Sequence, residues 1–389
     1  MPKALSLAIL LCMLVPNFPG FFAGGDIKPF WMLMSMAVIY FFPKKDFFKY
    51  FILIAILAIP FIFVSFSIKY LIVIFIPCFV FYSLPVFTQL KTSLKILSVC
   101  IFVIGFMSIL GITFLNPLFY FIFGEGSGVN INETARGSGL ISTEPSHIAP
   151  LLVLMAASLR YLSFGKSFLI IIAGLFVGIF TTGSGSLLLY LGTYGVILIL
   201  TTFNFRIITL ASLFCFVILL IGLPERFMQI INNIIGLSSA GFSLEWTARV
   251  ASGRFIANYI WFTSILDYPL GLGFGLDKDW AIERMFQLGI NPNIMGAFGQ
   301  YGLDGLPIMP RSFLAGVAGI SGYIGIIAII IFLMYFTFKN KITDLPLFGV
   351  GLIYLLLVGF VGSPYGWIFL MLSINNNFEY LLNVRNSNR

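Results

Sequence analysis

Long apolar runs recur along this 389-residue chain and strongly limit the folds open to it. A helix needs about 20 mostly apolar residues to cross the hydrocarbon core of a bilayer. We predict transmembrane helices over the following runs: 4–19, 29–43, 50–67, 70–86, 96–122, 148–163, 167–181, 185–203, 207–223, 312–337, 345–361 and 363–382. Only 9% of the residues are charged, whereas soluble domains carry about 25%. The sequence therefore predicts an all-α polytopic membrane protein, one membrane domain over 1–389 with about 12 transmembrane helices.

The distribution of basic residues predicts the orientation, because cytoplasmic loops retain Lys and Arg. With the N-terminus inside, the short outer loops hold only Lys28 and Lys69. Two long outer segments remain, 123–147 and a large loop over 224–311 that contains predicted helices. They hold the other outer basic residues: Arg136, Arg226, Arg249, Arg254, Lys278, Arg284 and Arg311. Their position favours an anionic ligand on the outer side, although long loops also cross membranes regardless of charge.

Composition argues against several other kinds of site. The net charge of +8 is spread through short loops rather than clustered, which is not the pattern of a nucleic-acid partner. The cysteines lie inside apolar runs and indicate neither disulfides nor a metal site. Asp277-Lys278-Asp279 matches a metal-binding pattern of nucleotide-sugar transferases, but those donors are cytosolic and this segment is predicted outside. We interpret it as a solvated loop.

The first outer segment ends in a polar stretch, 136–147, that contains the only histidine of the chain. Ionisable residues at a membrane boundary are costly unless they have a function. Glu144-Pro145 predicts a helix start, since proline fits the first helical turn and the free N–H groups there favour negative charge. Arg136, Glu144 and His147 therefore form a candidate edge of an active site.

The large outer loop has its own predicted organisation. A helix over 243–266 carries Arg249 and Arg254 together with Trp261. The glycine-rich turn 269–275 follows it and allows the backbone to approach a ligand closely. The segment 291–311 is rich in Gly and Pro and is predicted to be irregular.

Three places in the chain together resemble the O-antigen polymerase (Wzy) family, within the wider O-antigen ligase/polymerase superfamily. They are Arg136 with Gly139-Leu140 and Glu144-Pro145-Ser146-His147, then Ser252-Gly253-Arg254 leading to Trp261 and the turn 269–275, and finally Arg311-Ser312-Phe313 running into a Gly-rich span. The number of predicted spans and the large outer loop before the last few also match this family.

The resemblance implies a metal-independent, inverting glycosyltransferase with a type C membrane fold and no cofactor. Such an enzyme lies in the bacterial inner membrane, multi-pass, with its active site facing the periplasm. Its donor and acceptor are oligosaccharides linked to undecaprenyl pyrophosphate and embedded in membrane lipid. The growing glycan passes to the next lipid-linked repeat unit, and undecaprenyl pyrophosphate leaves. A polysaccharide chain-length regulator is a further expected partner.

Arginine suits a reaction whose leaving group is a pyrophosphate. Guanidinium groups bind phosphate in a bidentate manner, and positioned cations stabilise the charge that develops on its oxygens. The candidate pyrophosphate-binding residues are Arg136, Arg249, Arg254 and Arg311. The alternative for these residues is ordinary pairing with acids of the same loops, such as Glu133 and Glu245.

Glu144 and His147 are the candidate catalytic residues. Transfer requires an acceptor hydroxyl to lose a proton, and Glu144 is placed to act as the general base. The alternative is that Glu144 only caps the helix that follows it. His147 lies one helical turn further on, where it would orient the Glu144 carboxylate or donate to the pyrophosphate.

Three alternative functions remain open at this point. An O-antigen ligase, which transfers glycan to lipid A core, typically has a histidine near the end of the large outer loop, where this chain has Arg311. A lipid-linked oligosaccharide flippase or another transporter would carry ionisable residues within its spans, and the predicted spans are almost free of charge. A structural scaffold would not need the polar stretch 136–147.

Overall fold

The computed structural model describes residues 3–15, 76, 80, 81, 83–123, 140, 141, 145–182, 184–202, 252–272, 278–290, 312–358 and 363–383. Across these residues the regular structure is helical. The α-helices are α1 Lys3–Leu14, α2 Leu90–Ile109, α3 Asn116–Phe123, α4 Pro145–Ser158, α5 Lys166–Thr182, α6 Gly185–Thr202, α7 Ser252–Asp267, α8 Lys278–Gln287, α9 Phe313–Lys339, α10 Leu345–Ile353, α11 Tyr365–Leu372 and α12 Asn377–Asn383. A 3₁₀-helix, Leu84–Gln89, runs directly into α2, and a π-helix, Tyr354–Val358, continues α10.

Two of these helices are long and apolar enough to cross a membrane. Leu84–Ile109 has 26 residues and Phe313–Lys339 has 27, with mean hydropathies of 2.0 and 2.5. At 1.5 Å per residue Leu84–Ile109 is about 40 Å long, more than the ~30 Å of a hydrocarbon core, and the part of Phe313–Lys339 after its non-helical residue Gly322 is about 26 Å long. Large apolar side chains such as Phe102, Val103 and Phe106 are exposed along α2, as expected for a helix that faces lipid. The predicted all-helical fold is confirmed for the described residues, whereas the predicted number of spans stays a prediction.

The predicted boundary between the spans 70–86 and 96–122 is wrong. One helix runs through it from Leu84 to Ile109, and the half-buried Lys91 and Lys95 lie on that helix rather than in a loop. Lysine can lie along an apolar helix because its stem is itself apolar. The helix instead ends at Ile109, and Gly111, with a φ of 67°, takes the chain out of helical geometry before α3 begins. The predicted spans 29–43, 50–67 and 207–223 lie outside the described residues.

Small residues allow α2 and α5 to pack closely. A Cβ atom added at Gly174 would lie 2.6 Å from the carbonyl oxygen of Ser98, so no larger residue fits there without moving a backbone. The buried Ser98 hydroxyl donates to the carbonyl oxygen of Leu94, which satisfies it within α2. Close approach through small residues is the usual way in which helices associate in lipid, where apolar burial alone gives no driving force.

A buried charge pair joins the loop after α4 to the start of α10. The Asp344 carboxylate is only 2% exposed, and it lies 3.3 Å from the Arg160 guanidinium. Tyr161 donates its hydroxyl to Asp344 over 2.7 Å, and Arg160 also donates to the Tyr194 hydroxyl. Asp344 caps α10 as well, because its Oδ1 accepts from the backbone N–H of Leu347. One carboxylate thus connects two segments distant in sequence, and Arg160 links them to Tyr194 of α6.

We expect Asp344→Ala to lower the free energy of unfolding by about 2–3 kcal/mol, since it removes a helix cap and leaves the half-buried Arg160 without this partner. Thermal unfolding of the purified protein in detergent measures the loss. Asp344→Asn is the matched control, because its amide oxygen still caps α10, and it should lose less. Equal melting temperatures for Asp344→Ala and the wild type would contradict a stabilising role for the pair.

Candidate functional site

Two of the predicted site residues fall on described helices. His147 lies in the first turn of α4, and the backbone of Arg254 lies in the first described turn of α7. The others, Arg136, Glu144, Arg249 and Arg311, lie outside the described residues. The grouping of these six side chains into one site therefore stays a prediction.

The helix that carries His147 is enclosed by other helices along most of its described length. α4 packs against both α5 and α6, and its residues from Ile148 to Met155 are fully buried. His147, at the start of this helix, is half-buried. The described part of α4 begins at Pro145, in agreement with the helix start predicted there. His147 is thus held at the end of a rigid helix rather than on a surface loop.

The polar stretch before α4 is also attached to the core. Leu140 and Ile141 are both completely buried. Leu140 has a φ of 57°, a left-handed conformation that is rare for a bulky side chain and is maintained only where the surroundings enforce it. Buried residues therefore lie on both sides of Glu144 in the sequence.

Helix α7 packs directly against α9 although its sequence belongs to the predicted outer loop. The helix was predicted over 243–266 and is described from Ser252 to Asp267. Its buried side includes Ile256, Ala257 and Ile260 together with Trp261. Burial of this face makes α7 part of the hydrophobic core of the described residues.

Two contacts hold the middle of α7. Asn258 donates its side-chain N–H to the carbonyl oxygen of Leu357 over 2.8 Å, within the π-helix that continues α10. A π-helix changes the backbone pairing and often occurs at functional sites, and here one of its carbonyls accepts from a buried amide. Trp261 lies against Gly319 of α9 so closely that a Cβ added at Gly319 would be 2.7 Å from its ring. Neither contact was predicted from the sequence. No local sequence pattern identifies two residues that meet only in the folded chain.

The turn after α7 is hydrogen-bonded into a break in α9. At Gly322 the backbone of α9 has φ 55° and ψ −144°, which is not helical. The N–H of Leu272 donates to the carbonyl oxygen of Gly319 over 2.8 Å, and the N–H of Tyr323 donates to the carbonyl oxygen of Pro269 over 2.9 Å. We call this arrangement, formed by the turn 269–272 and the break 319–323, the backbone clamp.

The backbone clamp corrects the interpretation of the glycine-rich turn. We predicted that its glycines allow the backbone to approach a ligand. At Gly271 the close approach is instead to the chain's own α9, since an added Cβ would lie 2.6 Å from the backbone nitrogen of Ser321. Gly273 and Gly275 lie outside the described residues. A break in a long helix was not predicted, although the glycines at 319 and 322 were a signal for it.

The segment after this turn is a helix rather than the predicted solvated loop. α8 begins at Lys278 and returns to α7. Trp280 donates its indole N–H to Asp267 over 3.2 Å, and its ring lies 5.7 Å from that of Trp261. Arg284 donates to the Thr263 hydroxyl. These contacts hold α8 against α7.

The start of α9 is capped by a buried side chain. Ser312 is completely buried, and its hydroxyl accepts from the backbone N–H of Ala315 over 3.1 Å. Arg311 directly precedes this cap in the sequence. Free N–H groups in the first turn of a helix favour anions, so an arginine at this position adds to an electropositive helix end.

No family model, curated protein or solved structure matches this chain. Its function is therefore inferred from its own residues and their arrangement.

Proposed function

We propose that the chain is a polymerase of lipid-linked polysaccharide repeat units. It would transfer a glycan from undecaprenyl pyrophosphate to the next lipid-linked repeat, with inversion and without a metal ion. The protein would lie in the bacterial inner membrane with about 12 spans and a type C glycosyltransferase fold. Its active site would face the periplasm.

One observation carries the proposal: α7, the helix with Arg254 in its first described turn, packs directly against α9, which Arg311 precedes in the sequence. Trp261 meets Gly319 within this pair, and after the end of α7 Pro269 and Leu272 bond to the break in α9. Two candidate pyrophosphate ligands therefore lie on, or next in sequence to, helices that pack together.

The predicted orientation puts the start of α9 on the outer side. α9 ends at Lys339, and Lys341 follows it, so the basic-residue rule predicts this end to be cytoplasmic. The opposite end of α9, next to Arg311, would then be on the outer side. A lipid-linked substrate has its apolar chain in the bilayer and its pyrophosphate at the outer surface, so an enzyme would bind it on this side.

The reaction needs little more than these side chains. The acceptor hydroxyl oxygen attacks the anomeric carbon of the donor sugar, and the bond from that carbon to the pyrophosphate oxygen breaks. The electron pair of that bond leaves with undecaprenyl pyrophosphate, whose growing charge the arginines stabilise. Glu144 would take the hydroxyl proton, with His147 orienting it.

Purified protein incubated with synthetic undecaprenyl-pyrophosphate repeat units tests the proposal, with the products sized on a gel. A ladder of lengths is expected. Transfer only to an added lipid A core acceptor would instead identify a ligase. Movement of the lipid across vesicle membranes with no new glycosidic bond would identify a flippase and contradict the proposal.

The proposed orientation has its own test. Cysteines introduced at Ser138 and Asp277 should react with a membrane-impermeant thiol reagent in intact spheroplasts, because both positions would face the periplasm. A cysteine at Lys45 should react only after the membrane is permeabilised. Labelling of Lys45→Cys in intact cells would reverse the orientation and place the arginines on the wrong side for the proposed reaction.

A further inference from the structure

We infer that the backbone clamp is a rigid positioning device, which holds α7 so that the helix carrying Arg254 stays in place for the pyrophosphate. Gly271 and Gly322 are the positioning residues. This inference rests on the proposed function, because it assigns the clamp a role in that reaction.

The backbone clamp is reciprocal, with one hydrogen bond donated by each segment. Leu272 donates to the carbonyl of Gly319 in the break, and Tyr323 donates from the break to the carbonyl of Pro269. Residues of a broken helix lose their usual partners, and in an apolar environment each unsatisfied N–H or C=O is very costly. The turn 269–272 supplies these partners, so the break in α9 depends on the turn.

Both glycines are required by the geometry of this junction. Gly271 has a φ of 89° and Gly322 a φ of 55°, which side-chain-bearing residues rarely adopt. A Cβ added at Gly322 would lie 2.6 Å from the backbone nitrogen of Gly271 and would also collide with the carbonyl oxygen of Pro269. The obstacle in each case is backbone, which cannot rotate away as a side chain does. The two segments are therefore in main-chain contact and leave no space between them.

The length of α9 predicts the depth of the backbone clamp in the membrane. From Tyr323 to Lys339 the helix has roughly 17 residues and rises about 26 Å, nearly the ~30 Å thickness of a hydrocarbon core. With Lys339 at the inner surface, the break lies near the outer one. Transporters, in contrast, place their broken helices near the midplane. The clamp is thus near the outer end of the predicted span.

The exposure of the α9 side chains also changes at the break. Before it, the helix is almost completely enclosed by protein, with Ala315, Ala318 and Ile320 all buried. After it, Tyr323 and Ile327 are exposed, as expected for a surface in contact with lipid. Non-helical backbone at such a depth is tolerated only where protein or a water-filled cavity surrounds it. The clamp therefore joins a protein-enclosed half-helix to a membrane-spanning one.

α7 is held at two points as a result. The backbone clamp fixes the chain just after its C-terminal end, and the bond from Asn258 to Leu357 fixes its middle. A helix that is held at two points has little freedom to tilt or slide. These two contacts therefore also hold the backbone of Arg254, in the first described turn of α7. Displacement of a catalytic group by about 1 Å can reduce a rate by about 10²-fold.

Gly322→Ala and Gly271→Ala test the inference. Each should reduce the rate constant for chain extension by about 10²-fold and leave the KM for the lipid-linked donor within about threefold, because the ground-state binding surface remains while the pyrophosphate contact is misplaced. Gly289→Ala is the matched control. Gly289 also has a positive φ, 69°, but nothing lies within 4 Å of an added Cβ. This variant should extend chains like the wild type.

The rate of disulfide cross-linking shows whether the two segments of the backbone clamp are in contact, independently of catalysis. The N–H of Tyr323 donates to the carbonyl oxygen of Pro269 over 2.9 Å, so the two residues are in backbone contact, and a disulfide needs Cα atoms about 4.4–6.8 Å apart. The double variant Pro269→Cys and Tyr323→Cys should cross-link readily on oxidation and still extend chains when locked. Adding Gly322→Ala should slow the cross-link. Loss of activity on oxidation with recovery on reduction would show that the clamp must open, which overturns the inference.

The remaining outcomes separate the inference from the function on which it rests. Slow cross-linking of the Gly322→Ala background with wild-type chain extension would overturn the positioning role and leave the polymerase proposal intact. Failure of the wild type to form any polymer, with normal cross-linking, would overturn the proposed function and the catalytic role of the clamp together. Slow cross-linking with reduced extension supports both.

Discussion

Arg254→Ala should abolish chain extension, and Arg254→Lys should restore it poorly. A planar guanidinium holds two pyrophosphate oxygens at once, whereas an ammonium group is a single point charge that cannot reproduce the contact. The position of Arg254 on α7, a helix anchored to α9 by the backbone clamp, makes it the arginine whose placement is best supported. We expect a loss of at least about 10²-fold in the rate constant for extension.

The measurement is the length distribution of polymer formed by each variant at equal expression, together with the initial rate in purified form. Lys278→Ala is the control. Lys278 begins the neighbouring helix α8, carries the same charge and has no proposed role, so this variant should be close to wild type. Near-normal ladders from Arg254→Ala would remove Arg254 from the site and leave the position of α7 without a catalytic consequence.

Glu144→Gln should reduce turnover by at least ~10²-fold if Glu144 takes the proton of the acceptor hydroxyl. The glutamine keeps the size of the side chain and its hydrogen-bonding ability but lacks a basic carboxylate. If Glu144 only caps α4, the cost should instead be about 1 kcal/mol of stability, with much of the activity retained. Initial rates and melting temperatures of the same preparation distinguish these two outcomes.

Glu144→Asp and His147→Ala complete this series. Glu144→Asp keeps the carboxylate but shortens the side chain by one methylene group, so it tests whether the position of the carboxylate matters. His147 lies one turn into α4, so His147→Ala should reduce turnover less than Glu144→Gln if the imidazole only orients the carboxylate. Normal ladders from Glu144→Gln would exclude the base assignment and leave the arginines as the main catalytic groups.

The sequence predicts the helices well where a long apolar run has clear ends. α5 and α6 begin and end within about two residues of the predicted spans 167–181 and 185–203. The run 363–382 fails, because the structure divides it into α11 and α12. Asn375 and Asn376 have φ values of 50° and 55° at this division, a conformation that asparagine adopts more readily than most residues.

The features that the sequence did not predict depend on partners that are distant along the chain. Asp344 caps α10, which a local pattern can indicate, but its pairing with Arg160 joins residues 184 positions apart. The break in α9 exists because the turn after α7 supplies the missing hydrogen bonds. Hydropathy reports only how apolar a segment is, so it identified α9 as a span and gave no sign of the break within it.

The candidate site was predictable as a set of residue types rather than as an arrangement. A histidine, a carboxylate and four arginines in outer segments follow from composition and the charge rule. Their placement depends on how α4, α7 and α9 pack, which required the structure. The two points at which α7 is held, its middle and the turn after it, are the part of that arrangement that local sequence does not encode.

The central claim is that each new glycosidic bond releases one undecaprenyl pyrophosphate. The most direct measurement counts both in one reaction of the purified protein with lipid-linked repeat units, using mass spectrometry for the released lipid and a chelator to remove divalent metal ions. The proposed polymerase should give a ladder and one undecaprenyl pyrophosphate per bond formed, with the chelator present. Release of the lipid without longer glycans, or no release at all, would contradict it.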